Sequence, residues 1–301
     1  MVAYDEFGRF HENAAEYGIE YSGPPTVRRE SVALPSGLRL SALVWGTAEP
    51  ELVLIHGGAQ NAHTWDTVAL ALGRPLVAVD LPGHGYSDHR PAHNYGPSCM
   101  ADDVAVAVEA LAPRAEAVVG MSLGGLTAIC LAADHSNLVR RLGVVDVTPG
   151  TDHKKAEPII AFIDGPEYFD SFETILERTI EHNPTRSEAS LRRGVLHNAH
   201  ETLDGRWTWN YDRTRDWQAG GGAELDLEGL WEKVSAISAP TALWQGGAWS
   251  VVDDADVDEW MRRLPGTVHE VVDGAGHSIQ GDRPLELVAL IEDLLARPAA
   301  G

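Results

Sequence analysis

Ala115–Gly125 reads AEAVVGMSLGG: an apolar run ending at Gly120, then Ser122, then a helix-forming stretch from Leu123. A serine in a G-x-S-x-G turn between a strand and a helix is arranged for nucleophilic attack. The turn leaves no room for side chains at Gly120 and Gly124, and it lifts the Ser122 hydroxyl above the helix amino terminus. Backbone N–H groups at that place can hold a developing oxyanion. The bland alternative is a glycine-rich turn that happens to contain a serine. The flanking strand and helix favour the catalytic reading.

Two further runs could complete such a centre. Leu52–Gly58, LVLIHGG, is a strand that ends in His-Gly-Gly and leads into a loop toward Trp65. Its turn would offer the Gly58 N–H as one oxyanion donor, opposite the Leu123 N–H as the other. His56 is expected to fix this loop by hydrogen bonds rather than to act as a base. Val272–Pro284, VDGAGHSIQGDRP, holds His277 in a loop between the last strand and the last helix. A general base there can reach across a sheet edge to Ser122. Among the other histidines, His63 can approach the pocket from the first loop, and His84 in LPGHGYSD fits a structural turn. His11, His135, His182, His197, His200 and His269 have no companion motif. The chemistry implied is acyl transfer. His277 takes the Ser122 proton, Oγ attacks a carbonyl, and water cleaves the acyl-enzyme.

Such residues need a rigid edge to stand on. Strands are expected at Arg28–Leu34, Arg39–Trp45, Glu51–His56, Leu76–Asp80, Ala115–Gly120, Leu142–Val147, Thr241–Gln245 and Val268–Val272. Helices are expected at Thr64–Ala71, Cys99–Leu111, Leu123–Asp134, Val257–Leu264 and Pro284–Leu295. The first two or three strands read as a hairpin or meander. From Glu51 the strand–helix alternation calls for a mostly parallel sheet covered on both faces. Residues 1–30 are polar and aperiodic, an N-terminal extension. Residues 31–149 and 236–301 form the α/β core. Residues 150–235 show helical patches, no convincing strand, and Trp207, Trp209, Trp217 and Trp231; they read as a helical cap, with Gly220–Gly222 as a hinge.

The ordered set HGG (56–58), DLPGHGYSD (80–88), GMSLGG (120–125) and GAGHS (274–278) resembles the α/β-hydrolase superfamily, and its cap-bearing, bacterial-type serine hydrolases in particular. The likeness covers about residues 30–150 and 236–298. It implies an α/β-hydrolase fold, with a mostly parallel eight-stranded sheet, helices on both faces and a helical cap. It also implies Ser122 as nucleophile and His277 as base. Relatives with an aspartate nucleophile are excluded, and the tryptophan that follows it in dehalogenases is Leu123 here. The commonest family pattern puts the triad acid after the strand Thr241–Gln245. That stretch, Gly246–Val252, holds no carboxylate, and Asp253 comes late, at a helix entry. Some relatives supply the acid one strand after the nucleophile, and there an apolar run leads straight into Asp146. A buried carboxylate needs a partner, and His277 is the natural one. Asp146 is therefore the preferred acid, with Asp253 as the alternative and a turn-capping role for Asp146 as the bland reading.

Trp65, Met121, Trp209 and Trp249 are candidates for the pocket wall, with Trp207 and Trp244 as weaker ones. For most of these tryptophans a plain core role is the competing reading. The expected substrate is a medium-sized hydrophobic ester or lactone. The alternatives are a C–C hydrolase of a ring-cleavage product, an acyltransferase or thioesterase of secondary metabolism, or a non-catalytic binding module. No cofactor or metal is called for, since the chain has neither a Walker loop nor an H-E-x-x-H site.

Composition narrows the partners. The 301 residues hold 23 Lys+Arg against 45 Asp+Glu, a formal charge of −22. Such a field repels phosphate backbones and anionic lipid, so a small-molecule substrate is expected, with no nucleic acid and no membrane. Cys99 and Cys130 show no disulfide or zinc spacing, and Met1–Glu20 has no apolar core of signal-peptide length. A reduced, cytoplasmic protein is expected, as monomer or homodimer.

Overall fold

Runs such as Leu52–Ile55 (LVLI) and Leu142–Val145 (LGVV) are buried at every position. They belong in the middle of a sheet that is covered on both sides. The computed structural model describes residues 4–91, 93–152, 154–213 and 229–299. Its strands are β1 (Val27–Ala33), β2 (Arg39–Trp45), β3 (Leu52–Ile55), β4 (Leu76–Val79), β5 (Ala117–Met121), β6 (Leu142–Val145), β7 (Tyr168–Phe169), β8 (Ala199–Glu201), β9 (Trp207–Trp209), β10 (Thr241–Gly246) and β11 (Val268–Val272). Eight of them form one sheet in the order β1-β2-β4-β3-β5-β6-β10-β11. Only the β1–β2 and β2–β4 pairs are antiparallel. The expected runs all become strands of this sheet. The first two strands form the expected hairpin, but no meander continues into β3: β2 pairs with β4, and β3 lies beyond it.

The helices are α1 (Phe10–Tyr17), α2 (Asp66–Leu72), α3 (Pro97–Leu111), α4 (Leu123–Asp134), α5 (Glu157–Ile163), α6 (Phe172–Glu181), α7 (Glu188–Asn198), α8 (Leu230–Ala236), α9 (Asp254–Arg263), α10 (Ile279–Asp282) and α11 (Pro284–Leu295). One apolar layer joins the sheet to α3, α4, α8 and α9 through Val104, Ile129, Val234 and Trp260. The other joins it to α1, α2 and α11 through Phe10, Val68 and Leu287. No helix among the described residues is long and apolar enough to cross a membrane.

Two expectations are corrected. The N-terminal stretch is not aperiodic throughout: α1 docks Phe10 edge-on to Trp45 at 4.9 Å, and Asn13 donates to Thr67 Oγ1 at 2.8 Å. Two buried turns are too short to stand out as a period. The segment between β6 and β10 does hold strands, the small sheet β7-β9-β8, whose two- and three-residue strands leave no alternation to read. Trp207, Trp209, Phe169 and Phe172 form its own apolar cluster with Ile175 and Leu191. Helix α8 packs instead into the main layer, with Trp231 against Trp260. Trp217 and Gly220–Gly222 lie outside the described residues.

Candidate active site

Ser122 stands between β5 and α4 with φ 52° and ψ −122°, a conformation that non-glycine residues adopt only under strain. Neighbouring backbone enforces the turn. A Cβ on Gly120 would lie 2.2 Å from the Gly124 carbonyl oxygen, and one on Gly124 would lie 2.3 Å from that of His56. The Ser122 N–H donates to Val145 O at 3.1 Å, which ties the turn to the end of β6. Leu123 opens α4, so its N–H has no acceptor within the helix.

The loop after β3 passes directly over this turn. A Cβ on Gly57 would lie 3.1 Å from Ser122 Cβ, and one on Gly58 would touch the Leu123 side chain at 3.8 Å. The Gly57 N–H is taken by Gln60 Oε1 at 3.2 Å, so Gly58 is the loop glycine placed against Leu123. Two buried histidines hold the loop. His56 Nε2 accepts from the Leu81 N–H at 2.9 Å and its Nδ1–H donates to Gly57 O at 2.7 Å. Burial pushes its pKa down to about 3, so the ring is neutral. His84 Nε2 accepts from the Ala59 N–H at 3.2 Å, and burial lowers its pKa as well.

At the end of β6, Asp146 is fully buried with φ 48°. Its Oδ2 accepts from His277 Nδ1 at 2.7 Å. Its Oδ1 accepts from the Gly246 N–H at 2.7 Å and the Ser250 hydroxyl at 2.5 Å, and the Val251 N–H reaches Oδ2 at 3.3 Å. The stretch Gly246–Val252, which lacks a carboxylate, thus supplies donors to the one at the end of the adjacent strand β6. Asp253 goes elsewhere. It caps α9 in a capping box with Asp256, and its hydrogen bond from Lys155 holds its carboxyl below the usual range.

The pocket candidates separate. Trp65 is 0% and Met121 1% exposed, both in the layer beneath the sheet edge, so neither presents surface to a ligand. Trp244 is buried in that same layer. Trp249 is 39% exposed and stands edge-on to His277 at 5.8 Å. Trp209 lines a cavity of about 130 Å³ between the loop after β3, the start of α10 at Ser278–Gly281 and helices α5 to α7. The cavity's lining includes Gln60, from the loop that passes over the Ser122 turn, and Ser278, the residue after His277. Its wall mixes Phe162, Leu191 and Trp209 with Asn61, Asn183 and Gln280, so it is less apolar than the tryptophan count suggests.

Sequence reasoning missed Ser250, which no motif marks and which only the folded loop turns toward Asp146. It also left His197 without a role, although the ring stacks on His63 at 3.9 Å. The spacing of His63 and Asp66 within one turn was the available signal there.

Residues 52–290 match the alpha/beta hydrolase family. The chain is 42% identical over 303 residues to the esterase Rv0045c of Mycobacterium tuberculosis, covering 98% of this chain and 97% of that protein. A solved structure of that esterase, described with its transition metal inhibition, superposes with a TM-score of 0.85 at 43% identity, over 97% of this chain and 99% of the other. A more distant relative is the sn-1-specific diacylglycerol lipase ABHD11 of Mus musculus, 27% identical over 82% of this chain and 81% of that protein.

Proposed function

The chain belongs to the alpha/beta hydrolase family, and within it we propose a serine esterase that works through an acyl-enzyme. The observation that carries this reading is the 2.7 Å bond between His277 Nδ1 and the buried Asp146 carboxylate, at the sheet edge where the Ser122 turn is tied to Val145. With Nδ1–H held by Asp146, Nε2 is the ring atom available to take the Ser122 proton. Ser122 Oγ then attacks the ester carbonyl, and the oxyanion forms between the Gly58 and Leu123 N–H groups. The His277 imidazolium returns its proton to the departing alcohol oxygen. Water, deprotonated by the same ring, then cleaves the acyl-enzyme and regenerates Ser122. The likeness to an esterase along nearly the whole chain supports the choice of ester over other acyl bonds.

Residues 150–229 act in this reading as a cap, with α8 counted to the core. The substrate is an ester or lactone of short to medium size. Its apolar part lies against Phe162, Leu191 and Trp209, and a polar group reaches Asn183 or Gln280. The test is hydrolysis of p-nitrophenyl esters of increasing acyl length, with Ser122→Ala as control. Turnover that peaks at a short acyl chain and vanishes in the variant is expected. A wild-type protein that cleaves no acyl substrate overturns the reading.

A further inference from the structure

At the seam between the loop after β3 and helix α7, three buried ligand-type side chains meet. His63 lies in the 3₁₀ turn Ala62–Trp65, Asp66 opens α2, and His197 sits in the last turn of α7. One ligand atom from each lies within 4.8 Å of the others. His63 Nδ1 is 2.9 Å and His197 Nε2 is 3.8 Å from the same Asp66 oxygen, Oδ2. The other oxygen, Oδ1, is buried without a hydrogen-bond partner, a costly state for a carboxylate.

The outer nitrogens are both engaged. His63 Nε2 is 3.2 Å from Glu6 Oε1, and His197 Nδ1 is 3.0 Å from the Tyr4 hydroxyl. Protons on these outer atoms leave two imidazole lone pairs facing one carboxylate. Those groups repel one another unless a cation lies between them. A single proton on His63 relieves one contact and leaves His197 and Asp66 Oδ1 unanswered. A divalent ion answers all three groups. Histidines that donate their outer N–H to a carboxylate or hydroxyl are also the usual supports of metal ligands.

We propose that His63, Asp66 and His197 form a binding site for a divalent transition-metal ion. Two imidazoles and one carboxylate suit Zn²⁺, Co²⁺ or Ni²⁺ and disfavour Mg²⁺ and Ca²⁺. The three residues line the cavity beside the candidate active site, which provides an approach for the ion and room for a fourth, non-protein ligand. Metal–nitrogen bonds of about 2.0–2.1 Å draw the inner nitrogens together and splay the stacked rings. Because His197 belongs to α7 and the other two to the core, the ion fastens the inserted segment to the sheet.

The experiment is titration of the chelator-treated, full-length protein with Co²⁺, Zn²⁺, Ni²⁺ and Mg²⁺, read by calorimetry, by the visible absorption of bound Co²⁺ and by Tm. One equivalent of each transition metal is expected, with a rise in Tm and no response to Mg²⁺. His197→Gln and Asp66→Asn should each weaken binding by ~100-fold or more, and Glu6→Gln by ~10-fold. If Asp66→Asn fails to fold, the other two variants decide. His277→Gln should bind as the wild type does. The proposal is overturned if the wild type shows no saturable equivalent, if binding survives both His197→Gln and Glu6→Gln unchanged, or if His277→Gln is the variant that loses it.

Discussion

His277 and Asp146, 131 residues apart, are joined by a 2.7 Å hydrogen bond that spans the end of the intervening strand β10. The crossing depends on β10 ending in a glycine. A Cβ on Gly246 would lie 2.6 Å from the Gly276 carbonyl oxygen, and so would block the loop that brings His277 over. The Gly246 N–H is itself one of the donors to Asp146.

Replacing Asp146 by Asn should lower kcat by ~10⁴ while the fold persists, because the amide would favour the wrong imidazole tautomer. Asp253→Asn should leave kcat nearly unchanged, since its carboxylate caps α9 and pairs with Lys155. Steady-state kinetics on one p-nitrophenyl ester compares the two. The opposite ranking would transfer the acid role to Asp253.

Ser122→Ala should abolish turnover with Tm intact, because the hydroxyl holds no packing together. His277→Ala should be nearly as inactive, and the double variant no worse than either, since such groups act as a unit. Losses that multiply in the double variant would separate the two residues mechanistically.

Ser250→Ala removes one charge-assisted hydrogen bond from Asp146 and leaves the others in place. A loss of ~1.5–3 kcal/mol of interaction is the expected scale, or roughly 10–100-fold in kcat if it acts through the imidazolium. The effect should appear in kcat rather than KM. A pure KM effect would put Ser250 at the substrate instead.

Gly124→Ala should destabilise the protein by ~3 kcal/mol or more, because the new methyl meets the backbone oxygens of Ile55 and His56 at 2.4 and 2.3 Å. Backbone cannot yield as a side-chain end can. Urea denaturation with wild-type midpoint would contradict the close approach.

Acid should weaken the fold through His56. Its pKa is about 3 when folded and near 6.5 when unfolded, so the unfolded state binds the proton more readily. The neutral ring's contribution is complete above about pH 6.5 and is lost as pH falls from there toward 3, at about 1.4 kcal/mol per pH unit. Between pH 7 and 5 the wild type should lose ~2 kcal/mol from this group, and His56→Gln should lack that increment. Equal slopes in both proteins would acquit His56.

The Ser122 turn, the His-Gly-Gly loop and the His277 loop were legible because each is a local event. Gly120 is demanded by the carbonyl of Gly124 four residues on, a steric rule inside the motif, although the backbone that presses on Gly124 belongs to the distant end of β3 and the loop after it. The β-branched runs likewise announce a buried parallel sheet. Tertiary structure decided the rest. Which carboxylate meets His277 depends on β6, β10 and β11 lying side by side, and strand order is not written in any one segment. Trp65, Met121 and Trp209 are alike in sequence as large apolar side chains near motifs. Only the layer each enters puts the first two under the sheet and the third in the cavity wall. His197 carries no motif at all. It becomes a partner of His63 and Asp66 only because α7 packs over the loop after β3, a contact between surfaces far apart along the chain.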